Sequence, residues 1–332
     1  MTRLDAKLAR ILRGGSKRSD FIIADAKDPD MGPGLWSSGP DRGSDGAWTR
    51  YRSRIQFLDQ IRAIVRQDIV DVMLASLSNL EILLAEGLFT EHAVKPVIRA
   101  NDATDIWMVR GGTYAKRPSR PFRTASLARA RQAGIDLGLY SMTFNNDLDA
   151  DVASLEAYGR FRDDAARHGF RHFLEVFNPN VDTGISAEIL PHFINDCIVR
   201  ALAGVAAADR PVFLKVAYNG PKALEELASW DSSLVVGILG GSAGTTRDTF
   251  ELLAQVQRYG ARVALFGRKI NLAESPLAIV ALMREVAHGN LAPEEAVRAY
   301  HEKLREQGVK PLRTLDEDIA ITDPVLKTGA SA

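Results

Sequence analysis

The sequence predicts a single domain, residues 1–332, folded as a (β/α)8 barrel with a C-terminal helical extension. Eight short and almost continuously apolar runs alternate with eight segments in which apolar residues recur with the period of an α-helix. Apolar strands separated by helices are typical of a parallel sheet covered by helices. Eight such units favour a closed barrel over an open sheet.

The predicted strands are short, and most run into Gly, Pro, Asn, Asp or Ser residues that interrupt regular structure. In chain order they are residues 21–28, 69–76, 96–102, 135–144, 172–179, 212–219, 234–241 and 262–270.

The predicted helices are residues 53–66, 78–87, 125–133, 150–168, 186–205, 221–229, 246–259 and 276–288. Several boundaries carry capping residues: Thr245 and Thr246 can cap the seventh helix, and Pro276 and Gly289 suit the first turn and the end of the eighth. Residues 291–332 are predicted to add one amphipathic helix and a loose tail.

The composition excludes several classes of function. Basic and acidic residues are balanced at 42 each, which argues against nucleic acid and against an anionic membrane surface as partners. No apolar run reaches 18 residues and the first residues lack a signal-peptide core, so we expect a cytoplasmic protein. The single cysteine, Cys197, excludes an internal disulfide, and the composition is compatible with a monomer or a homo-oligomer.

No metal or cofactor site is predicted. The six histidines are scattered, and none belongs to an HxH, HExxH or CxxC arrangement that would place metal ligands together.

Two loops are longer than connectors need to be. Residues 29–49 follow the first strand, and residues 102–123 follow the third and combine five basic residues with Trp107, Tyr114 and Phe122. Both belong to the loops on which a barrel of this type carries its active site. They are interpreted either as lids over an anionic ligand or as plain surface excursions.

Lys215 lies in the middle of an apolar strand, VFLKVAYN. Burial disfavours a charged ammonium, and a neutral amine is a nucleophile that can form a Schiff base with a carbonyl. The structural alternative is a lysine that pairs with a buried carboxylate or reaches solvent at the strand end.

Charged residues that could share the barrel interior with Lys215 lie on three other predicted strands. Asp25 and Lys27 are two apart on the first strand, Arg99 lies on the third and Glu175 on the fifth. We expect all of them to point with Lys215 into the barrel mouth, because unpaired charge beneath apolar helices is costly. Glu175 would then move protons, and Asp25 would either act as a second acid or base or orient the Schiff-base nitrogen. Lys27 and Arg99 would hold substrate anions or a carbonyl oxygen. A buried ion-pair network without chemistry is the alternative.

A phosphate site is predicted between the last two strands. Gly240, Gly241 and Ser242 lead from the seventh strand into a helix, where backbone N–H groups can face an anion. Gly267 and Arg268 end the eighth strand, and barrels frequently bind phosphate between these two loops.

The motifs ADAKD, LEVFNP, FLKV, GILGGSAG and GARVALFGRKI, in this order, resemble the DeoC/LacD superfamily of class I, Schiff-base aldolases. Within it the chain is most similar to the tagatose-bisphosphate and sulfofructose-phosphate aldolases. The resemblance implies that Lys215 forms the Schiff base, Glu175 moves protons, Asp25 is the acid of the first strand, Lys27 and Arg268 contact phosphate, and no metal is needed. Leu139 departs from the pattern, since that branch has a lysine there.

Two alternatives remain open. Asp25, Lys27 and Asp30 spell DxKxxD, which is similar to the orotidine-phosphate and ketogulonate-phosphate decarboxylases and would make the protein a lyase without a covalent intermediate. The second alternative is a non-catalytic barrel that binds a phosphosugar without turnover.

Overall fold

The computed structural model describes residues 2–42, 47–241 and 244–330, and it confirms the predicted fold class. Eight strands close in the order β1-β8-β7-β6-β5-β4-β3-β2, and every neighbouring pair is parallel. Each overlaps one predicted segment. The strands are β1 Ile22–Lys27, β2 Val72–Ala75, β3 Lys95–Arg99, β4 Leu137–Thr143, β5 Arg171–Phe177, β6 Leu214–Val216, β7 Val236–Leu239 and β8 Val263–Phe266.

Helices follow the strands around the outside of the barrel. They are α2 Arg54–Gln67, α3 Leu77–Ala85, α4 Leu127–Gln132, α5 Leu148–Arg167, α6 Leu190–Ala203, α7 Pro221–Trp230, α8 Thr246–Arg258, the short α9 Arg268–Asn271 and α10 Pro276–His288. An additional helix, α1 Arg3–Leu12, precedes the barrel.

Helix α1 closes the amino-terminal end of the barrel. Leu4 and Leu8 are one turn apart and join the apolar cluster inside the barrel. The polar face is fastened by Arg3 and Lys7, each 2.9 Å from a carboxylate oxygen of buried Asp71. Helix α1 therefore covers the floor of the barrel.

The chain beyond the barrel is more ordered than predicted. After α11 (Pro293–Glu306) come α12 (Leu315–Ile319) and α13 (Pro324–Ala330), and α13 includes residues 327–330 of the stretch 327–332 that the sequence predicts to be a loose tail. Leu326 is buried, and its carbonyl accepts a hydrogen bond from the side chain of Gln255 on α8 at 2.8 Å. A single buried leucine anchors this short helix, too weak a pattern to be recognised in sequence.

Both long loops contain small antiparallel sheets. Pro40–Arg42 pairs with Trp48–Tyr51 in the first loop, and Asp102–Ala103 pairs with Pro121–Phe122 in the second. Among the described residues, no helix is both long and apolar enough to cross a membrane.

Candidate active site

Polar side chains from five strands or strand ends meet inside the barrel. Lys215 Nζ lies 2.6 Å from Glu175 Oε1, and Ser141 Oγ donates a 2.7 Å hydrogen bond to Glu175 Oε2. Arg99 donates to Ser141 Oγ at 2.7 Å and lies 2.7 Å from Asp28 Oδ2. All five are at least nine-tenths buried; we call Lys215, Glu175, Ser141, Arg99 and Asp28 the polar layer.

Strand register explains why these side chains meet. Lys215 and Ser141 are both in register with Glu175, so the three project to the same side of the parallel sheet. Two residues earlier on these strands are Phe213, Phe173 and Leu139, which belong to the apolar cluster inside the barrel. The rings of Phe213 and Phe173 stack with centroids 4.4 Å apart. The polar layer thus rests on an apolar floor and lies nearer the carboxyl ends of the strands.

Arg99 holds the layer together electrostatically. Burial alone would lower the pKa of its guanidinium, but Asp28 and Glu175 outweigh burial and raise that pKa. Arg99 therefore remains charged between the two carboxylates.

The expectation that Asp25 and Lys27 point into the barrel mouth is wrong. Along β1 the residues Ile22 and Ala24 belong to the interior cluster, whereas Ile23 belongs to the cluster between strands and helices. Asp25 is in register with Phe266, which also packs against the helices. Strand alternation therefore directs Asp25 and Lys27 outward.

Asp25 and Lys27, the outward pair, are fully buried and lie close enough to interact with each other. Lys27 Nζ lies 3.5 Å from Asp25 Oδ2 and donates a long, 3.4 Å hydrogen bond to Asn271 Oδ1 on α9. Burial raises the pKa of Asp25 to about 6, and burial also lowers the pKa of Lys27. Neither oxygen of Asp25 accepts a hydrogen bond from the part of the chain described here. Charge can thus lie under the helices when two opposite groups occupy the same layer.

The residues predicted to bind phosphate have different roles in the structure: some are explained by packing, and one spans the two loops. Gly240 and Gly267 are explained by packing, because an added Cβ would approach Phe266 Cδ1 to 2.6 Å and Ala26 O to 2.9 Å. Gly241 has a φ of 62°, in the left-handed region. Arg268 is exposed and donates a hydrogen bond to Gly241 O at 3.1 Å, so it does span the two loops. Ser242 lies outside the described residues.

The loop after β3 is fastened beside the polar layer. Asn180, just after β5, donates its side-chain amide to the carbonyls of Ala115 at 2.9 Å and Arg117 at 2.7 Å. Thr143, at the end of β4, donates to Asp105 Oδ2 at 2.7 Å. This loop is therefore attached to the ends of the two strands that carry Ser141 and Glu175.

Among the described residues, no group of three or more His, Cys, Asp or Glu side chains could hold a metal ion. The arrangement does offer an amine in contact with a carboxylate, and a guanidinium that can bind substrate oxygens.

Comparison with known proteins gives matches among solved structures only. No protein-family model matches the sequence, and no curated protein matches it either. An archaeal fructose 1,6-bisphosphate aldolase superposes with a TM-score of 0.61 at 15% identity over 86% of this chain and 99% of the other. A Schiff-base-forming fructose-1,6-bisphosphate aldolase gives 0.62 at 16% identity, covering 86% and 99%. Cgl0159 from Corynebacterium glutamicum gives 0.57 at 16%, covering 86% and 94%.

The chain shares the (β/α)8 barrel fold of these two aldolases. At this level of identity the likeness concerns the fold, and roles for individual residues must come from the geometry of this chain.

Sequence reasoning missed Asp28 and Ser141. Asp28 follows Ile22, Ala24 and Ala26 at two-residue spacing and therefore shares their side of β1. Both sides of that strand are apolar, so the sequence does not indicate which one points into the barrel. Ser141 follows Leu137 and Leu139 at the same two-residue spacing, a signal that a neutral serine makes easy to overlook. Asp30 lies elsewhere and accepts hydrogen bonds from Ser76 at 2.6 Å and Asn79 at 3.0 Å.

Proposed function

We propose that the protein is a class I aldolase, a lyase that makes or breaks a C–C bond in a phosphorylated ketose or related sugar acid through a Schiff base on Lys215. The observation that carries the proposal is the 2.6 Å contact between the Lys215 amine and the Glu175 carboxylate, inside the barrel and above an apolar floor. A nucleophilic amine requires a base at this distance, since the ammonium must lose its proton before it can attack.

The reaction begins when Lys215 transfers a proton to Glu175 and the free amine adds to the substrate ketone. Glu175 returns that proton to the carbinolamine oxygen, which leaves as water and gives an iminium. The Glu175 carboxylate then removes the proton of the substrate's β-hydroxyl group. The electrons of the breaking C–C bond flow to the iminium, and an enamine forms. Protonation of the enamine by Glu175, followed by hydrolysis, frees the second product and restores the amine.

The other members of the polar layer would orient the substrate. Arg99 and Asp28 form a charged pair on the far side of Ser141, where a guanidinium and a carboxylate can bind the hydroxyl and carbonyl oxygens of a sugar. Arg268 would bind phosphate beside Gly241, so that binding energy distant from the reaction aligns the ketone with Lys215.

The two alternatives receive less support. The DxKxxD lyase needs Asp25, Lys27 and Asp30 at the substrate, but the first two face the helices and Asp30 is bonded to Ser76. A barrel that only binds phosphosugar remains compatible with a polar layer that serves as an ion-pair network.

Turnover of a panel of phosphorylated ketoses, measured as aldehyde released, tests the proposal. Lys215→Met keeps the length of the side chain and removes the amine, so we expect it to abolish turnover. The matched control is Lys222→Met, which removes an exposed lysine from α7 and should leave kcat unchanged. Arg268→Ala should raise KM about ten-fold with less effect on kcat, because a phosphate contact far from the reacting carbon binds ground state and transition state alike. Full activity of Lys215→Met would contradict the proposal.

A further inference from the structure

A cavity of about 220 Å³ lies between the start of α8, the short helix α9 and the segment that follows α11. No member of the polar layer lines it. Its wall combines three cationic residues with apolar ones: Arg268, Lys269, Arg313, Leu272, Ile279 and Leu312.

Lys269 is the unusual member of this wall. The residue is 8% exposed, and it makes no hydrogen bond or ion pair with any described residue. Burial lowers the pKa of its amine to about 8, although Asp248 and Asp323 act in the opposite direction. An ammonium withdrawn from solvent without a partner is costly unless an anion accompanies it.

The acidic groups near the cavity are already engaged. Glu274, the acidic residue of the wall, accepts hydrogen bonds from Leu312 N at 2.8 Å and the hydroxyl of Tyr300 at 3.1 Å. Both oxygens of Asp248 accept hydrogen bonds from residues 245 and 322–323, and Asp323 accepts one from Val325 N. These carboxylates therefore act on Lys269 only at a distance.

Arg313 is also weakly paired. Its Nη1 lies 3.9 Å from Asp318 Oδ1, and that carboxylate already accepts hydrogen bonds from Thr246 N at 2.7 Å and from His301 at 3.0 Å. Because Asp318 occupies the Thr246 amide, side-chain cations rather than this helix end provide the attraction for an anion.

We propose that this cavity binds a small phosphate monoester, with the phosphate between Lys269 and Arg313 and the carbon skeleton against Leu272, Ile279 and Leu312. Two poorly compensated cations suit a dianion better than a carboxylate, and the planar guanidinium can bind two phosphate oxygens at once. The site is separate from Lys215, and it shares only the wall residue Arg268 with the proposed substrate site.

Competitive acetylation tests this site directly. The full chain is treated with limiting acetic anhydride in increasing inorganic phosphate, with chloride at equal ionic strength as the control, and acetylation is mapped by peptide mass spectrometry. Phosphate should protect Lys269 and leave the exposed Lys310, in the same segment, unprotected. Arg313→Gln keeps Lys269 and should shift its protection to about ten-fold higher phosphate.

The proposal is overturned if chloride protects Lys269 as well as phosphate does, if Lys310 is protected to the same degree, or if Arg313→Gln leaves the phosphate dependence unchanged. Arg313 has a 42% exposed side chain, so its replacement should not prevent folding. The readout needs no aldolase activity, and loss of the proposed function would not affect it.

Discussion

At the scale of single residues, chemistry depends on which side chains touch Lys215. Glu175 contacts the amine with one oxygen and accepts a hydrogen bond from Ser141 with the other, so its position is fixed on both sides. The sequence identified Lys215, Glu175 and Arg99 because a charged residue inside an apolar strand is conspicuous. It could not identify Asp28 as their partner, because that depends on the rotation of β1.

Glu175→Gln should keep the shape of the site and remove its base. We expect kcat to fall about 10²–10⁴-fold, the usual contribution of a positioned acid or base. Ser141→Ala, which removes only a partner of Glu175, should have a smaller effect on kcat. Equal losses of kcat in the two variants would show that Glu175 is structural.

At the scale of elements, hydrogen bonds link strand β1 to α9, the helix that begins at the proposed phosphate contact Arg268. Lys27 donates to the side chain of Asn271 on α9, and that side chain donates to Ser37 O at 3.1 Å in the loop after β1. The outward pair Asp25 and Lys27 therefore lies beneath a junction between strand, loop and α9, which begins at Arg268. We infer that this pair supports the junction and takes no part in the reaction.

Lys27→Met should destabilise the fold by about 3–5 kcal/mol at pH 8, because it leaves a buried carboxylate without its counter-ion. Without that cation the pKa of Asp25 rises further above its value in the unfolded chain. A carboxyl group whose pKa is raised by folding lowers the free energy of unfolding, and this penalty grows as pH rises from about 4 towards the raised pKa. The deficit should thus be smaller at pH 5, as measured by urea unfolding. The double variant with Asp25→Asn should recover most of it, and an equal deficit at both pH values would contradict this interpretation.

At the scale of the whole molecule, the barrel separates a stabilising end from a reactive end. Helix α1 covers the floor, the interior apolar cluster follows, and the polar layer comes last, which is the division expected of this fold. The alternation of strands and helices sufficed to predict the barrel, because eight apolar runs allow few other arrangements. The sequence could not predict which face of β1 points into the barrel, nor that α1 covers the floor or that α13 packs on α8. Each of these depends on contacts between segments distant in sequence.

Leu4→Ala should test this division. Removing a fully buried leucine from the floor should cost about 2–5 kcal/mol, measured by urea unfolding. The kcat of the folded variant should stay within two-fold of the native value, because the other members of the interior apolar cluster lie between Leu4 and the polar layer. Leu12→Ala, at an exposed position of the same helix, is the control for stability. A large loss of kcat in folded Leu4→Ala would show that the two ends are coupled.

The most direct test of the account is chemical trapping of the Schiff base. The full chain is incubated with candidate ketose phosphates, reduced with borohydride, and examined by intact mass and peptide mapping. We expect one covalent adduct, located on Lys215 and absent from Lys215→Met. Its mass increase should equal that of the ketose phosphate, or of the ketone fragment left after C–C cleavage, less one oxygen atom lost as water. Turnover of the same substrate without an adduct on Lys215, or an adduct on another lysine, would contradict it.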